Sequence, residues 1–219
     1  MSIVVKKGTD FKNKVLHLKN YSMEPYIEKV YLDGKLKEAS LISEQDKSFG
    51  VFMHSLILSN TVDLKKHDTE VYKRKEDKLK KAVSAYASLM GFDANLIESI
   101  APKLPGLDIN HDNKLTSSVH LINGELRFVI RGAAEYMFRS CTHILMESRF
   151  VKVTRKALRE AYDTFRYMVA KGLDVYAIAL RDLSSLPENY NDNFLRSNLA
   201  LVSLIGVNKR LRANKNART

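Results

Sequence analysis

The sequence predicts an α+β fold that is predominantly α-helical. Two turn signals lie between runs of β-forming residues, and apolar residues recur at helical spacing from about residue 69 onward. No internal repeat and no Pro- or Gly-rich linker divides the chain. With 219 residues, of which 45% are hydrophobic and 28% charged, the chain can bury one good-sized core or two small ones, and one domain with terminal extensions is the simplest expectation. We therefore expect a β-containing N-terminal part followed by a helical C-terminal half.

Two hairpins are predicted from dipeptides that favour tight turns. Asp33-Gly34 separates two β-capable runs in "KVYLDGKLKEASLI", and Asn123-Gly124 lies inside "SVHLINGELRFVI". Such pairs suit a type I′ turn because both of its central positions need a positive φ. We expect an N-terminal hairpin region and a second hairpin near 118–131. The apolar run at 49–58, "FGVFMHSLIL", fits a buried strand or a helix, and periodicity leaves both open.

Two helices are predicted before the second hairpin. Apolar residues at helical spacing cover about 69–90, and Gly91 is a suitable stop. A shorter helix is expected over 93–101, with Asp93 as its N-cap and Pro102 close to its end.

The chain beyond Gly132 is predicted to be mostly helical. One apolar stripe runs through 134–145, and a second lies between a capping Thr154 and a terminating Gly172. Two more helices are expected, at roughly 173–183 and 192–206.

The predicted domain organisation is one core with two terminal extensions. Residues 1–20 form an N-terminal arm, 21–206 a single globular core that is β-rich to about 64 and mainly helical after, and 207–219 a basic flexible tail. The N-terminal "SIVVKKGTDFKNKVLHL" and the apolar "FLRSNLALVSLIG" look poorly able to bury themselves within one subunit. Segments of this kind dock on neighbouring copies, so we expect a homo-oligomer that assembles through them.

The charge and the cysteine count narrow the class of protein. Lys and Arg number 36 against 25 acids, a formal net charge of +11, which favours a nucleic acid, an anionic membrane surface or an acidic protein as partner. The single Cys141 forms no internal disulfide, and the N-terminus turns charged after five residues. The longest apolar stretch, 198–207, is about half of what a membrane span needs. We expect an intracellular, cytoplasmic protein without a membrane span.

Residues 108–119, "DINHDNKLTSSV", resemble part of an EF-hand calcium loop. Asp108, Asn110 and Asp112 supply oxygens at positions one, three and five, but position twelve is Val119, which has no side-chain oxygen. The motif also needs helices on both sides, whereas a strand is predicted after it. We interpret the stretch as a polar connector and predict no metal.

Other chemical motifs are equally incomplete. Cys141 and His143 would point in opposite directions on a helix, so they do not form a nucleophile and its base. The six His residues are scattered, and the nine Gly form no phosphate-binding loop. The sequence predicts no catalytic residue and no cofactor, and no set of residues argues for an enzyme, although an enzyme stays possible.

A basic stripe is the strongest candidate for a functional surface. Between residues 127 and 171 the sequence contains ten basic residues and four acids. The helical spacing after Thr154 places three Arg and one Tyr on one side of a helix. Alternation along the second hairpin places two more Arg on one sheet face. The run at 65–81 holds eight basic residues and four acids, and two of its basic residues are included among the predicted binding residues. Guanidinium forks suit phosphates and Tyr rings suit stacked bases. The predicted nucleic-acid-binding residues are Arg127, Arg131, Arg155, Arg159, Tyr162, Arg166, Lys73 and Arg74.

These features predict a structural protein that binds RNA or single-stranded nucleic acid. No base-reading module is visible, so contacts to the backbone and stacking imply low sequence specificity. A small basic protein with exchangeable arms is laid out like a viral nucleocapsid or coat protein, found in the cytoplasm or in a virion, although no family motif is present. Two alternatives stay open: a basic protein-interaction or scaffold module, and an enzyme acting on a phosphorylated or nucleic-acid substrate.

Overall fold

One large sheet organises the chain. The computed structural model describes residues 24–61, 69–105, 109–111, 115–186, 192–195 and 197–208. The strands in these ranges are β1 (Ile27–Leu32), β2 (Lys35–Glu38), β3 (Ile109–His111), β4 (Leu115–Ile122), β5 (Glu125–Ala133), β6 (Cys141–Met146), β7 (Arg149–Lys152), β8 (Leu173–Leu183) and β9 (Leu199–Asn208). The helices are α1 (Phe49–Leu58), α2 (Glu70–Leu89), α3 (Ala94–Ile100), α4 (Ala134–Met137), α5 (Arg155–Ala170) and α6 (Asp192–Leu195), with 3₁₀ turns at Ala39–Leu41 and Phe138–Ser140.

The sheet is almost entirely antiparallel, so the predicted helical fold class is wrong. Its strand order is β2-β1-β9-β8-β5-β4-β3, and β6 pairs with both β7 and β9. Only the β6–β9 pairing is parallel among the described strands. β1 and β6 lie along the same edge of β9, because β1 pairs with its C-terminal half and β6 with its first three residues.

Both turn signals lie in hairpins of the sheet. Asp33 and Gly34 have φ values of 52° and 73° and connect β1 to β2. Asn123 and Gly124 have φ values of 52° and 84° and connect β4 to β5. Positive φ at both central positions is the type I′ geometry that matches the twist of the flanking strands.

The helices predicted at 173–183 and 192–206 are wrong, because both segments are largely strands at the centre of the sheet. Nine of the ten residues of β9 are buried. In β8, alternate residues enter opposite cores: Ile178 packs on one side and Ala177 on the other. A strand covered on both faces has no polar side and appears in the sequence as one continuous apolar run. Periodicity could not separate such a run from a buried helix.

The apolar stripe at 134–145 does not form one helix either. It is divided into the single turn of α4, the 3₁₀ turn and most of β6. The stripe residues are buried, including Met137, Phe138 and Ile144. Pairing of β6 with β7 and β9 therefore overrides a local pattern that fits a helix.

The long helices lie where their caps and apolar spacing place them. Thr69 caps α2, and the Thr154 hydroxyl accepts a hydrogen bond of 3.1 Å from a backbone N–H in the first turn of α5. Asp93 caps α3, and the undecided run at 49–58 forms α1. Gly172, after α5, has a φ of 82°, a conformation that costs a glycine little.

Two hydrophobic cores lie on opposite faces of the sheet. The first packs α1, α2 and α3 against one face. The second packs α4, α5 and α6 against the other. This sandwich of helices around a central sheet places α2 and α5 on opposite sides of the molecule.

The predicted C-terminal docking helix is an internal strand, so that part of the self-assembly argument is lost. β9 buries its apolar residues between β1, β6 and β8 of its own chain. The predicted arm at 1–20 lies outside the described residues, as does most of the tail predicted at 207–219. Among the described helices, none is long and apolar enough to cross a lipid bilayer.

Candidate functional site

A cleft of about 270 Å³ opens between α2 and one end of three neighbouring strands. Three side chains of α2 line one wall: Tyr72, Lys75 and Glu76. The opposite wall comes from Thr116 near the start of β4, residues 131–133 at the end of β5 and residues 174–176 at the start of β8. Register explains the grouping, because Thr116 pairs with Arg131 and residue 133 with residue 176.

A buried ion pair joins the two walls of the cleft. The Nη2 atom of Arg131 donates to Oε1 of Glu76, and the two side chains are only 1% and 6% exposed. The Nη1 atom of Arg131 donates to Oδ1 of Asn60 at 3.3 Å. Isolated charges are very costly at such burial, so each member of the pair depends on the other.

Tyr176 is a neutral phenol whose environment reflects both charges. Burial raises its pKa well above the ordinary value, Asp174 and Glu76 raise it further, and Arg131 lowers it. The hydroxyl therefore stays protonated at physiological pH and is able to donate a hydrogen bond.

The cleft is close to electrically neutral. Among its described lining residues, Lys75 and Arg131 are cationic while Glu76 and Asp174 are anionic. The aromatic residues Tyr72 and Tyr176 also line it. A concave site with rings and a few polar groups suits a flat, polar and largely uncharged ligand group.

The two sequence-predicted Arg residues of β5 are committed to internal ion pairs. Arg127 binds Asp182 of β8 through two hydrogen bonds, Nε to Oδ1 at 2.6 Å and Nη2 to Oδ2 at 3.1 Å. Arg131 is the buried partner of Glu76. Neither guanidinium presents a free fork to a polyanion.

The remaining predicted residues lie on two helices on opposite sides of the sheet. Arg155, Arg159 and Arg166 are exposed on α5. Tyr162, on the same helix, is 44% exposed, and its ring packs against Phe138 with centroids 5.7 Å apart. On α2, the two predicted residues are separate again: Lys73 pairs with Glu70 at 3.4 Å, and Arg74 is exposed. The eight residues do not form one continuous surface.

The two minor motifs are placed as follows. Part of the calcium-like stretch forms β3, which pairs with β4, and Val119 at its twelfth position is fully buried. Asp108 and Asp112 lie outside the described residues. Cys141 is buried, and burial raises the pKa of its thiol to about 12, so it is not an activated nucleophile. His143 is exposed in the same strand, and the helical geometry assumed for this pair was wrong.

Sequence reasoning overlooked most of the cleft. Glu76 falls on the apolar stripe of α2, three residues before Leu79, and Arg131 falls on an inward-facing position of an apolar strand. An acid and an Arg at core positions of two elements indicate a buried pair. Tyr72, Asp174 and Tyr176 carried no comparable signal.

Known proteins resemble the region that contains the cleft. The family model described as P-type ATPase, cytoplasmic domain N, matches residues 48–214. The chain is 24% identical over 126 residues to calcium-transporting ATPase 1 of Bacillus cereus, covering 58% of this chain and 14% of that protein. It is 29% identical over 97 residues to plasma membrane calcium-transporting ATPase 2 of Oreochromis mossambicus, covering 42% of this chain and 9% of that protein. The chain therefore spans a small fraction of the relatives it matches.

These similarities overturn the predicted function. A nucleic-acid coat protein, with RNA and further copies of itself as partners, is wrong, because the matched family is one of ATPases and the matched relatives are calcium-transporting ATPases. The virion location is unsupported, whereas the family's description as a cytoplasmic domain agrees with the intracellular part of that prediction. The expectation that the chain is not an enzyme is not confirmed, because the matched family is a domain of ATPases, which are enzymes. The family model covers most of the chain, and the chain belongs to the family of the P-type ATPase cytoplasmic domain N.

Proposed function

We propose that this chain is the ATP-holding domain of a cation-transporting P-type ATPase and that ATP enters the cleft between α2 and the strands β4, β5 and β8. One observation carries the proposal: the cleft lies entirely within the residues matched by the family model. ATP is the ligand that the name of the family implies.

The chemistry of the cleft suits the base and ribose of the nucleotide. Tyr72 and Tyr176 line the cleft with rings that a planar base can contact. Thr116 and the protonated Tyr176 hydroxyl supply hydrogen-bonding groups. The volume of about 270 Å³ is at the small end of ligand pockets. We infer that the cleft takes the nucleoside and that the phosphates extend towards its mouth.

The transported ion and the hydrolytic step belong to the whole transporter. Calcium is the ion named for both relatives, and we propose a divalent cation for the assembly that contains this chain. Within the cleft, Glu76 is held by Arg131, which leaves it unsuited to act as a base. We therefore expect the chain alone to bind ATP without hydrolysing it.

Isothermal titration calorimetry with ATP tests this function. The native chain is expected to show saturable binding with one site. Ala133→Trp places an indole in the cleft, since Ala133 lines it beside Tyr176, and is expected to weaken ATP binding at least tenfold, about 1.4 kcal/mol.

Ala170→Trp is the matched control. It introduces the same side chain at the exposed end of α5, on the other face of the sheet, and is expected to bind ATP like the native chain. No binding by the native chain would refute the function. Equal binding by all three proteins would refute the assignment to this cleft.

A further inference from the structure

Glu76 is a buried carboxylate in the lining of the proposed site. A negative charge at this position is unexpected in a site for an anionic ligand, because like charges repel. We propose that Glu76 sets the charge preference of the cleft: by cancelling the charge of Arg131 it makes nucleoside and nucleoside triphosphate bind with similar affinity. This inference rests on the proposed function and assigns a specificity-determining role to one residue of that site.

The geometry shows why Arg131 is unavailable to phosphate. A free guanidinium grips a phosphate with two parallel N–H groups. Here one terminal nitrogen of Arg131 donates to Glu76 and the other to Asn60 at 3.3 Å. The side chain is 1% exposed, so the fork does not reach the mouth of the cleft.

The balance of charge extends beyond this one pair. The described lining contains a second cation, Lys75, and a second acid, Asp174. The pKa of Tyr176, which lines the same cleft, is raised by burial, Asp174 and Glu76 and lowered by Arg131, so charges of both signs act within the site. Because the described lining holds two cations and two acids, added phosphates meet little net attraction or repulsion there.

The consequence is functional. A site that is indifferent to phosphate number holds ATP and ADP about equally. Discrimination between substrate and product then has to come from contacts outside the cleft, in other parts of the assembled transporter. The cleft itself would supply affinity for the nucleoside alone.

The test compares adenosine, AMP and ATP by calorimetry on the full 219-residue chain without added divalent cation. For the native chain we expect the three dissociation constants to agree within about threefold. Glu76→Gln keeps an oxygen that accepts from Arg131 but removes the charge, and is expected to favour ATP over adenosine by about tenfold, the scale of the attraction between one uncancelled charge and phosphates at the mouth of the cleft.

Two further variants separate this effect from a general change in charge. Glu76→Gln with Arg131→Gln restores neutrality and is expected to return the ATP-to-adenosine ratio to the native value. Asp182→Asn removes the same charge from the Arg127 pair, outside the cleft lining, and is expected to leave the ratio unchanged.

The outcomes are distinct. A native chain that binds ATP more than about tenfold tighter than adenosine, or a Glu76→Gln ratio equal to the native one, overturns this inference and leaves the proposed function standing. Absence of binding by all three ligands overturns both. Circular dichroism melting verifies that each variant is folded. If Glu76→Gln is unfolded, the salt dependence of the native chain decides: an ATP affinity that falls steeply with salt while the adenosine affinity stays constant overturns the inference.

Discussion

Arg131→Ala is expected to destabilise the fold far more than the loss of any exposed ion pair. The substitution leaves the carboxylate of Glu76, 6% exposed, without its counter-charge. Removing one partner of a buried pair costs about 3–5 kcal/mol. This is a large share of the roughly 5–15 kcal/mol of a typical domain. With a urea m-value of about 2–3 kcal/mol/M, the unfolding midpoint should fall by about 1–2.5 M.

Arg127→Ala is the matched control, because Arg127 lies in the same strand as Arg131 and forms its ion pair with Asp182 on the neighbouring strand β8. Its pair with Asp182 has side-chain exposures of 30% and 56%, and we expect a cost of about 0.2–1 kcal/mol. Urea unfolding followed by circular dichroism measures both variants. Equal costs for Arg131→Ala and Arg127→Ala would refute the reasoning. A further variant, Glu76→Leu with Arg131→Met, should recover most of the lost stability, because replacing a whole buried pair is often neutral.

Four other predictions concern single positions. Thr154→Ala removes the N-cap of α5 and should cost about 0.5–2 kcal/mol in thermal melts, whereas Thr154→Ser should cost little. Gly206→Ala would bring a Cβ within 2.7 Å of Leu173 and should cost about 1–3 kcal/mol. Gly50→Ala, in α1 with nothing within 4 Å, should stabilise the chain by about 0.5–1 kcal/mol. Burial raises the pKa of Cys141 to about 12, so its thiol should resist iodoacetamide until the chain is unfolded, and its contribution to stability should decline as pH rises above about 8.5. Rapid labelling of the folded chain would contradict this, as would a Cys141→Ala variant that loses as much stability above that pH as the native chain does.

Local signals in the sequence located those elements whose boundaries are set by local chemistry. Asp33-Gly34 and Asn123-Gly124 mark two hairpins because their backbone geometry is intrinsic to the turn. Thr154 and Asp93 mark helix starts because their side chains satisfy nearby N–H groups. The turn and capping interactions form within a few residues of one another, so they do not depend on distant parts of the chain.

The sheet was missed because its strands depend on distant partners. β9 pairs with β1, more than 170 residues earlier in the chain. Because both faces of β9 are buried, its sequence lacks the alternation of apolar and polar residues that identifies a half-exposed strand. The cleft was missed for the same reason, since Glu76 and Arg131 meet only when α2 packs on β5. The basic stripe on α5 was visible because it is periodic, but exposure and charge alone do not identify a partner.

The most direct test of the proposed ATP site is to map ATP binding by NMR on the isotopically labelled chain. We predict that amide shifts will change at Tyr72, Gly132 and Tyr176, which line the cleft, while those of Arg159 and Arg166 on α5 stay constant. Shifts concentrated on α5, or no shifts at saturating ATP, would contradict the account.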